Sequence, residues 1–290
     1  MKNDCTLLLS TYDNGEDCWE GFFKALADCW PAMNMPIVIN TEHKQYSFPG
    51  YELKTINQKS TDTIPWSKRL LDVLKQIDTE YVLLFLEDFW LDAPVDDEFF
   101  QKNLQWMRDN PDVANLSYYP CMPGTNIDDG RFERFERRPQ ACEYKLNFQV
   151  GLWRRKRLIA FLRPHESPWD VEIYGSKRAT RYKDGFYSFK EDAPLIFSYG
   201  DNMKGCIVHR GKWVKEAVIP MNEKYNLNID FSIRGFEDFD ELLEIDRVYR
   251  ATKKIDLIRA AWNKPHKFKR IVHRLVHEMD RMVARIKSMI

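Results

Sequence analysis

The chain has 290 residues, of which 44% are hydrophobic and 14% aromatic. That excludes a disulfide-stapled miniprotein and a wholly disordered chain, and leaves room for one large α/β domain with an appendage. Lys and Arg (44) balance Asp and Glu (44), but residues 251–290 hold eleven Lys/Arg against three Asp/Glu, so the preceding 250 carry the acidic surplus. The six cysteines (Cys5, Cys18, Cys29, Cys121, Cys142 and Cys206) form no CxxC pair. No apolar run reaches the ~20 residues that span a bilayer, and Leu7–Leu9 is too short for the core of a signal peptide. The expectation is therefore a cytosolic protein with reduced, mostly buried thiols and no structural zinc site.

In chain order, Cys5–Ser10 has the pattern of a short buried strand that ends in a polar loop, Thr11–Gly15. Trp19, Phe22, Phe23, Leu26 and Ala27 recur at helical spacing, with Pro31 just beyond. Pro36–Asn40 is predicted as a second strand and Tyr51–Ile56 as a third, then a helix runs over Ser67–Ile77. Tyr81–Leu86 is the most apolar run in the chain, as a central strand covered on both faces requires. This alternation predicts an α/β fold whose mostly parallel sheet is flanked by helices.

Further on, the pattern predicts a helix over Phe99–Met107, an irregular stretch over Pro120–Gly130, and an exposed ribbon or mobile loop over Arg131–Arg138. It predicts a strand over Leu146–Trp153, a helix over Arg154–Leu162, and short strands over Pro194–Tyr199 and Gly205–His209. From Phe239 the chain reads as helical, so the expected division is an α/β domain over 1–238 and a C-terminal extension over 239–290. Within the extension, Phe268, Ile271, Leu275, Met279, Met282 and Ile286 recur at steps of three and four between Lys and Arg, a basic amphipathic helix. Such a face suits an anionic leaflet, a packing surface or a second subunit. Nucleic acid is not expected as a partner, because the tail has few aromatics and the body is acidic.

The apolar run at Leu86 stops at Glu87-Asp88, and ligands of open α/β sheets bind at the carboxyl ends of strands. From pattern alone the pair is equally a metal or phosphate site and a turn cap. Asp170 precedes a helix expected over Val171–Arg178, where it is a natural N-cap and Glu172 lies in a first turn whose dipole favours its ionised form.

The order of these pieces resembles the GT-A glycosyltransferases of bacterial polysaccharide assembly, over roughly residues 4–215. Four stretches carry the resemblance: Leu9–Asp13; Trp66–Arg69 with Glu80–Asp88; Ser167–Glu172; and Cys206–His209. Glu87-Asp88-Phe89 departs from the DxD pattern of that family, since the next acid is Asp92. The resemblance implies that Thr11, Tyr12, Asp13, Trp66, Arg69, Glu87 and Asp88 line the nucleotide site and that Asp88 and His209 hold a divalent cation, Mn²⁺ or Mg²⁺. It further implies an inverting transfer with Glu172 or Asp170 as general base, from a nucleotide-sugar donor, UDP-linked, to a glycan or lipid-linked acceptor. The membrane-facing reading of residues 262–290 then suits a cytoplasmic enzyme peripheral to the inner face of the membrane, and a homodimer is the other use of that helix. A sugar-phosphate nucleotidyltransferase is the enzymatic alternative, although Ser10–Gly15 carries no Lys or Arg to cradle phosphate. A non-catalytic, membrane-docked partner of a glycan assembly complex is the other.

Overall fold

A computed structural model describes residues 4–58, 64–122, 124–199 and 206–237. The chain divides into two compact units, Met1–Phe236 and Glu237–Ile290. The basic helical extension expected over 239–290 lies outside the described residues.

The architecture is α/β, a mostly parallel sheet flanked by helices, as the hydrophobic pattern predicts. Its strands are β1 (Cys5–Ser10), β2 (Ile37–Thr41), β3 (Leu53–Asn57), β4 (Tyr81–Leu86), β5 (Val113–Ser117), β6 (Phe135–Arg137), β7 (Gly151–Arg154) and β8 (Gly185–Phe189). They form one sheet in the order β3-β2-β1-β4-β7-β5-β8-β6. All but β6 and β7 run in one direction. A separate hairpin pairs β9 (Val208–His209) with β10 (Lys212–Trp213).

Strand β1 is buried along its whole length because helices cover both faces of the sheet. On one face lie α1 (Trp19–Cys29) and α3 (Asp97–Asp109), whose Trp19, Phe22, Phe23, Phe100 and Leu104 meet Leu7, Leu9 and Phe85. On the other, Leu70, Leu71, Val73 and Leu74 of α2 (Trp66–Leu74) and Leu158 and Phe161 of α4 (Arg155–Phe161) meet Leu8, Val82 and Leu84. Successive strand residues alternate between the two clusters, as the pleat requires. The remaining helices are α5 (Pro168–Asp170), α6 (Ser176–Ala179) and α7 (Lys215–Tyr225).

The structure corrects several expectations. The loop expected after β1 continues into a 3-10 helix over Asp13–Cys18. The strand expected over Leu146–Trp153 is confined to Gly151–Arg154, since the preceding amides bond side chains outside the ladder: Leu146 to Ser176, Phe148 to Glu172 and Val150 to Tyr199. Arg131–Arg138 is no exposed ribbon: Phe132 and Phe135 are buried, and β6 pairs with β8 at the sheet edge. No strand forms over Pro194–Tyr199, where Ile196 and Phe197 enter the core through ring contacts instead. All six cysteines are free thiols, four of them buried. Among the described residues no helix is long and apolar enough to cross a membrane.

Candidate active site

From β1 the chain adds β2 and β3 on one side, then crosses to place β4 on the other. In open α/β sheets such a reversal marks where ligands bind, beyond the strands' carboxyl ends, here those of β1 and β4. Register sets what stands there: Ser10 pairs with Leu86, so the loop starting at Thr11 faces the turn at Glu87-Asp88.

The β1 side is rigid. The Thr11 amide donates to Asn40 Oδ1 (3.0 Å), and its hydroxyl accepts from Trp19 Nε1 (2.9 Å). Arg69 Nη1, delivered by the first turn of α2, donates to the Thr11 carbonyl (3.0 Å) and to Glu42 Oε1 (2.5 Å). The Arg69 guanidinium lies 5.8 Å from the Tyr12 ring centre. Asp13 is spent on the backbone: its Oδ1 accepts from the amides of Glu42 (2.9 Å) and Lys44 (3.4 Å), its Oδ2 from that of His43 (3.0 Å). Burial pushes the Asp13 carboxyl up, but these amides outweigh it, and its pKa falls below the usual aspartate value.

Opposite, the turn after β4 is held by backbone and indole. Phe89 N–H donates to the Leu86 carbonyl (3.2 Å), Trp90 Nε1 to the Glu87 carbonyl (3.0 Å) and Ile207 N–H to the Asp88 carbonyl (3.0 Å). The Glu87 side chain lies on Gly15, where an added Cβ would stand 3.1 Å from Oε1 and 2.9 Å from Thr11 Oγ1. Both acids are partly buried, and among the described residues neither makes an ion pair. Burial holds Glu87 far above the usual carboxylate range, and the Asp88 charge adds to that. Burial does the same to Asp88. Arg234 opposes the rise at both, and Arg69 at Glu87. Two neighbouring carboxylates that resist ionisation together are a site short of positive charge.

Arg234 has no sequence signal. It follows α7, far from the other residues in the chain, and its side chain is only 10% exposed. Its Nε and Nη2 grip Asp17 (2.6 Å each), Nη2 also donates to the Asn14 carbonyl (2.9 Å), and the guanidinium lies 5.3 Å from the Trp213 ring centre. The 3-10 turn after β1 is thereby clamped by the end of the described unit.

His209 is partly buried in the hairpin, joined to β10 through Arg210 and Gly211, both at positive φ (50° and 82°). The bond from Ile207 to Asp88 brings the start of this hairpin against the acidic turn. Among the described residues no group of three or more His, Cys, Asp or Glu is arranged to hold a metal. Two carboxylates that form no ion pair among the described residues nonetheless fit a hard divalent cation that takes its other oxygens from phosphate and water, the usual arrangement for Mg²⁺.

The antiparallel β7 brings in the other half of the site. Because Leu84 pairs with Gly151, the residues before β7 lie at the same edge as those after β4. The Val150 amide donates to Tyr199 Oη (3.4 Å), which donates to Gln149 Oε1 (3.0 Å), and the Tyr199 ring stacks on Phe89 (4.7 Å). At Phe148 the amide donates to Glu172 Oε1 (3.1 Å), and the Trp66 ring meets the Phe148 ring edge-on (4.6 Å). Glu172 is thus joined to the acidic turn by a short run of contacts.

Glu172 sits where α5, a π-helical segment (Val171–Gly175) and α6 run on from one another. Gly175 packs so closely on Val171 and Leu146 that an added Cβ would come within 2.9 Å of Val171 Cγ1. The expected N-cap is corrected: Ser167 caps the helix and Asp170 closes the capping box, accepting from Ser167 N–H (3.1 Å) and Oγ (2.8 Å). The electrostatic expectation at Glu172 is also reversed. Burial raises its pKa, and the Phe148 amide only partly offsets this, so the helix terminus does not dominate. The whole segment is braced by Glu166, 0% exposed, whose carboxylate takes Arg178 Nη1 (2.6 Å) and Nη2 (2.5 Å).

No family model matches the sequence, and no curated protein matches it. Among solved structures, the chain is similar to S. aureus TarS at 12% identity and a TM-score of 0.48, over 80% of this chain and 41% of that one, so it spans well under half of that length. It is similar to S. aureus TarS 1–349 in complex with UDP at 12% identity and a TM-score of 0.46, over 79% of this chain and 68% of that one. It is also similar to a cytidylyltransferase from Leptospira borgpetersenii, at 11% identity and a TM-score of 0.39, over 78% of this chain and 98% of that one.

Proposed function

We propose that the chain is a GT-A-type glycosyltransferase that uses a nucleotide-sugar donor. The observation that carries this reading is the Glu87-Asp88 pair: two carboxylates with raised pKa values and no ion pair among the described residues, at the strand ends where an open α/β sheet binds its ligand. The pair, with His209 as a further candidate, would hold Mn²⁺ or Mg²⁺, which when bound neutralises charge on the departing diphosphate. Arg234 and Arg69 add positive charge beside that place. Thr11 and Tyr12 line the nucleotide side, the Tyr12 ring offering a face to a base, while Asp13 shapes the turn that carries them and Trp66, its ring against Phe148, stands towards Glu172.

Glu172 is the general base of the proposed transfer. Its raised pKa suits a group that takes a proton from an acceptor hydroxyl near neutral pH. Asp170, closing its capping box, orients the segment. The acceptor is a glycan or lipid-linked glycan, and the basic stretch over 262–290 is proposed, on sequence alone, to meet an anionic membrane face on the cytoplasmic side.

The test is calorimetric titration of the full chain with UDP and a panel of UDP- and other nucleotide-linked sugars, with and without Mn²⁺. Cation-dependent binding that Asp88→Asn weakens at least tenfold is the expected result; no binding of any nucleotide refutes the reading. Release of pyrophosphate rather than a nucleoside diphosphate would make the chain a nucleotidyltransferase.

A further inference from the structure

Resting on the reading above, we propose that Trp169 is the platform on which a sugar ring of the acceptor stacks, making the acceptor a saccharide bound face-on beside Glu172.

Trp169 is 72% exposed although five tryptophans of this chain are fully buried. Large aromatics left in water usually serve an interface, because an indole offers a broad apolar face and a polar edge. This one is not on a frayed loop. Pro168 precedes it at the helix start, the Ser167–Asp170 capping box encloses it, and the Glu166–Arg178 pair fixes both ends of the segment. The bond from Ser67 N–H to the Glu166 carbonyl (3.3 Å) further ties the segment to the start of α2, the helix that carries Trp66 and Arg69. A rigid mount gives an exposed indole a defined plane at little ordering cost on binding.

Its neighbours select the occupant. Glu172, three residues on in the same helical run, lies one turn along the same face, while Asp170 turns its carboxylate back onto Ser167. Ile173, four residues on and 46% exposed, widens the apolar surface by one side chain. An apolar plane with one carboxylate a helical turn away matches a pyranose, whose C–H face is apolar and whose rim is hydroxylated. Glu172 in turn accepts from the Phe148 amide, and the Phe148 ring meets Trp66, so a ring seated on Trp169 would stand one helical turn from the proposed base.

The experiment compares wild-type full chain with Trp169→Ala and Trp169→Phe in three measurements. The first is binding to a printed array of neutral and acidic oligosaccharides, in the presence of UDP and Mn²⁺. The second is UDP calorimetry, and the third is sedimentation with vesicles of phosphatidylglycerol and phosphatidylethanolamine. The expected result is glycan binding that falls at least tenfold in Trp169→Ala and recovers to within threefold in Trp169→Phe, with UDP and vesicle binding unchanged. Unchanged glycan binding in Trp169→Ala overturns the proposal, as does the absence of glycan binding while UDP binds. Loss of vesicle binding in Trp169→Ala would assign the indole to a membrane and overturn it as well. Failure of UDP to bind wild type strikes the glycosyltransferase reading itself.

Discussion

Arg178→Met removes the cation from a fully buried carboxylate. Glu166 is 0% exposed and receives two short guanidinium bonds, of 2.6 and 2.5 Å, while Arg178 also donates to the Phe161 carbonyl through Nε (3.1 Å) and Nη2 (2.6 Å). Removing one member of a buried pair costs up to about 3–5 kcal/mol, because the surviving charge keeps its desolvation penalty and here loses both guanidinium bonds. That is a large part of a domain stability of roughly 5–15 kcal/mol. Urea denaturation followed by circular dichroism should show a lower midpoint with an unchanged slope. The double variant Glu166→Gln/Arg178→Met should recover about half of the loss or more, since no buried charge is then left unpaired. A cost below about 1 kcal/mol in Arg178→Met, or a double variant no more stable than the single one, would refute the claim that this pair braces the segment carrying Glu172.

The acidic pair makes stability depend on pH with a defined sign. Its folded pKa values lie above the unfolded ones, so the contribution is greatest below the ordinary carboxylate range and declines as pH rises through the raised values. Melting curves from pH 4 to 9 should therefore show Asp88→Asn gaining on wild type as pH rises, and Mn²⁺ raising the wild-type midpoint more at alkaline than at acid pH. For Glu172, likewise raised, the acid limb of the transfer rate profile should lie above the usual glutamate pKa, with Glu172→Gln slowing transfer by about 10²–10⁴-fold and leaving UDP affinity unchanged. Gly21→Ala would place a Cβ 2.0 Å from Trp90 Cη2, and because Trp90 also holds the Glu87 carbonyl, overpacking of about 1–3 kcal/mol should come with weaker Mn²⁺ binding by calorimetry.

Apolar runs made the middle of the sheet legible. Strands β1 and β4 are buried on both faces, so their sequences are nearly all hydrophobic, and their carboxyl ends led directly to Thr11–Asp13 and Glu87-Asp88. Strands β5 and β8 escaped the same reading because they bury polar groups that find partners only in the folded sheet. Asn115 donates to the Leu152 carbonyl (3.2 Å) and Ser188 Oγ to the Tyr119 carbonyl (2.8 Å). Helix α7 was hidden by Pro220 in its interior. The local pattern placed Glu172 in a first helical turn but gave no view of the Phe148 loop that buries it. Arg234 was beyond sequence reasoning, because nothing in Phe231–Gly235 announces that it will reach Asp17 across 217 positions.

One consequence follows from the reversed direction of β7. In a parallel strand the residues that reach the proposed site come after it and feed the next crossover, so altering them disturbs a helix. Here they come before the strand, in a stretch that begins after β6 and ends at Gly151. That stretch can change its length and chemistry while β1, β4 and their turns stay in place. The Glu172 half of the proposed site can therefore diverge on its own, and its proposed acceptor can change without rebuilding the turn that carries Glu87-Asp88.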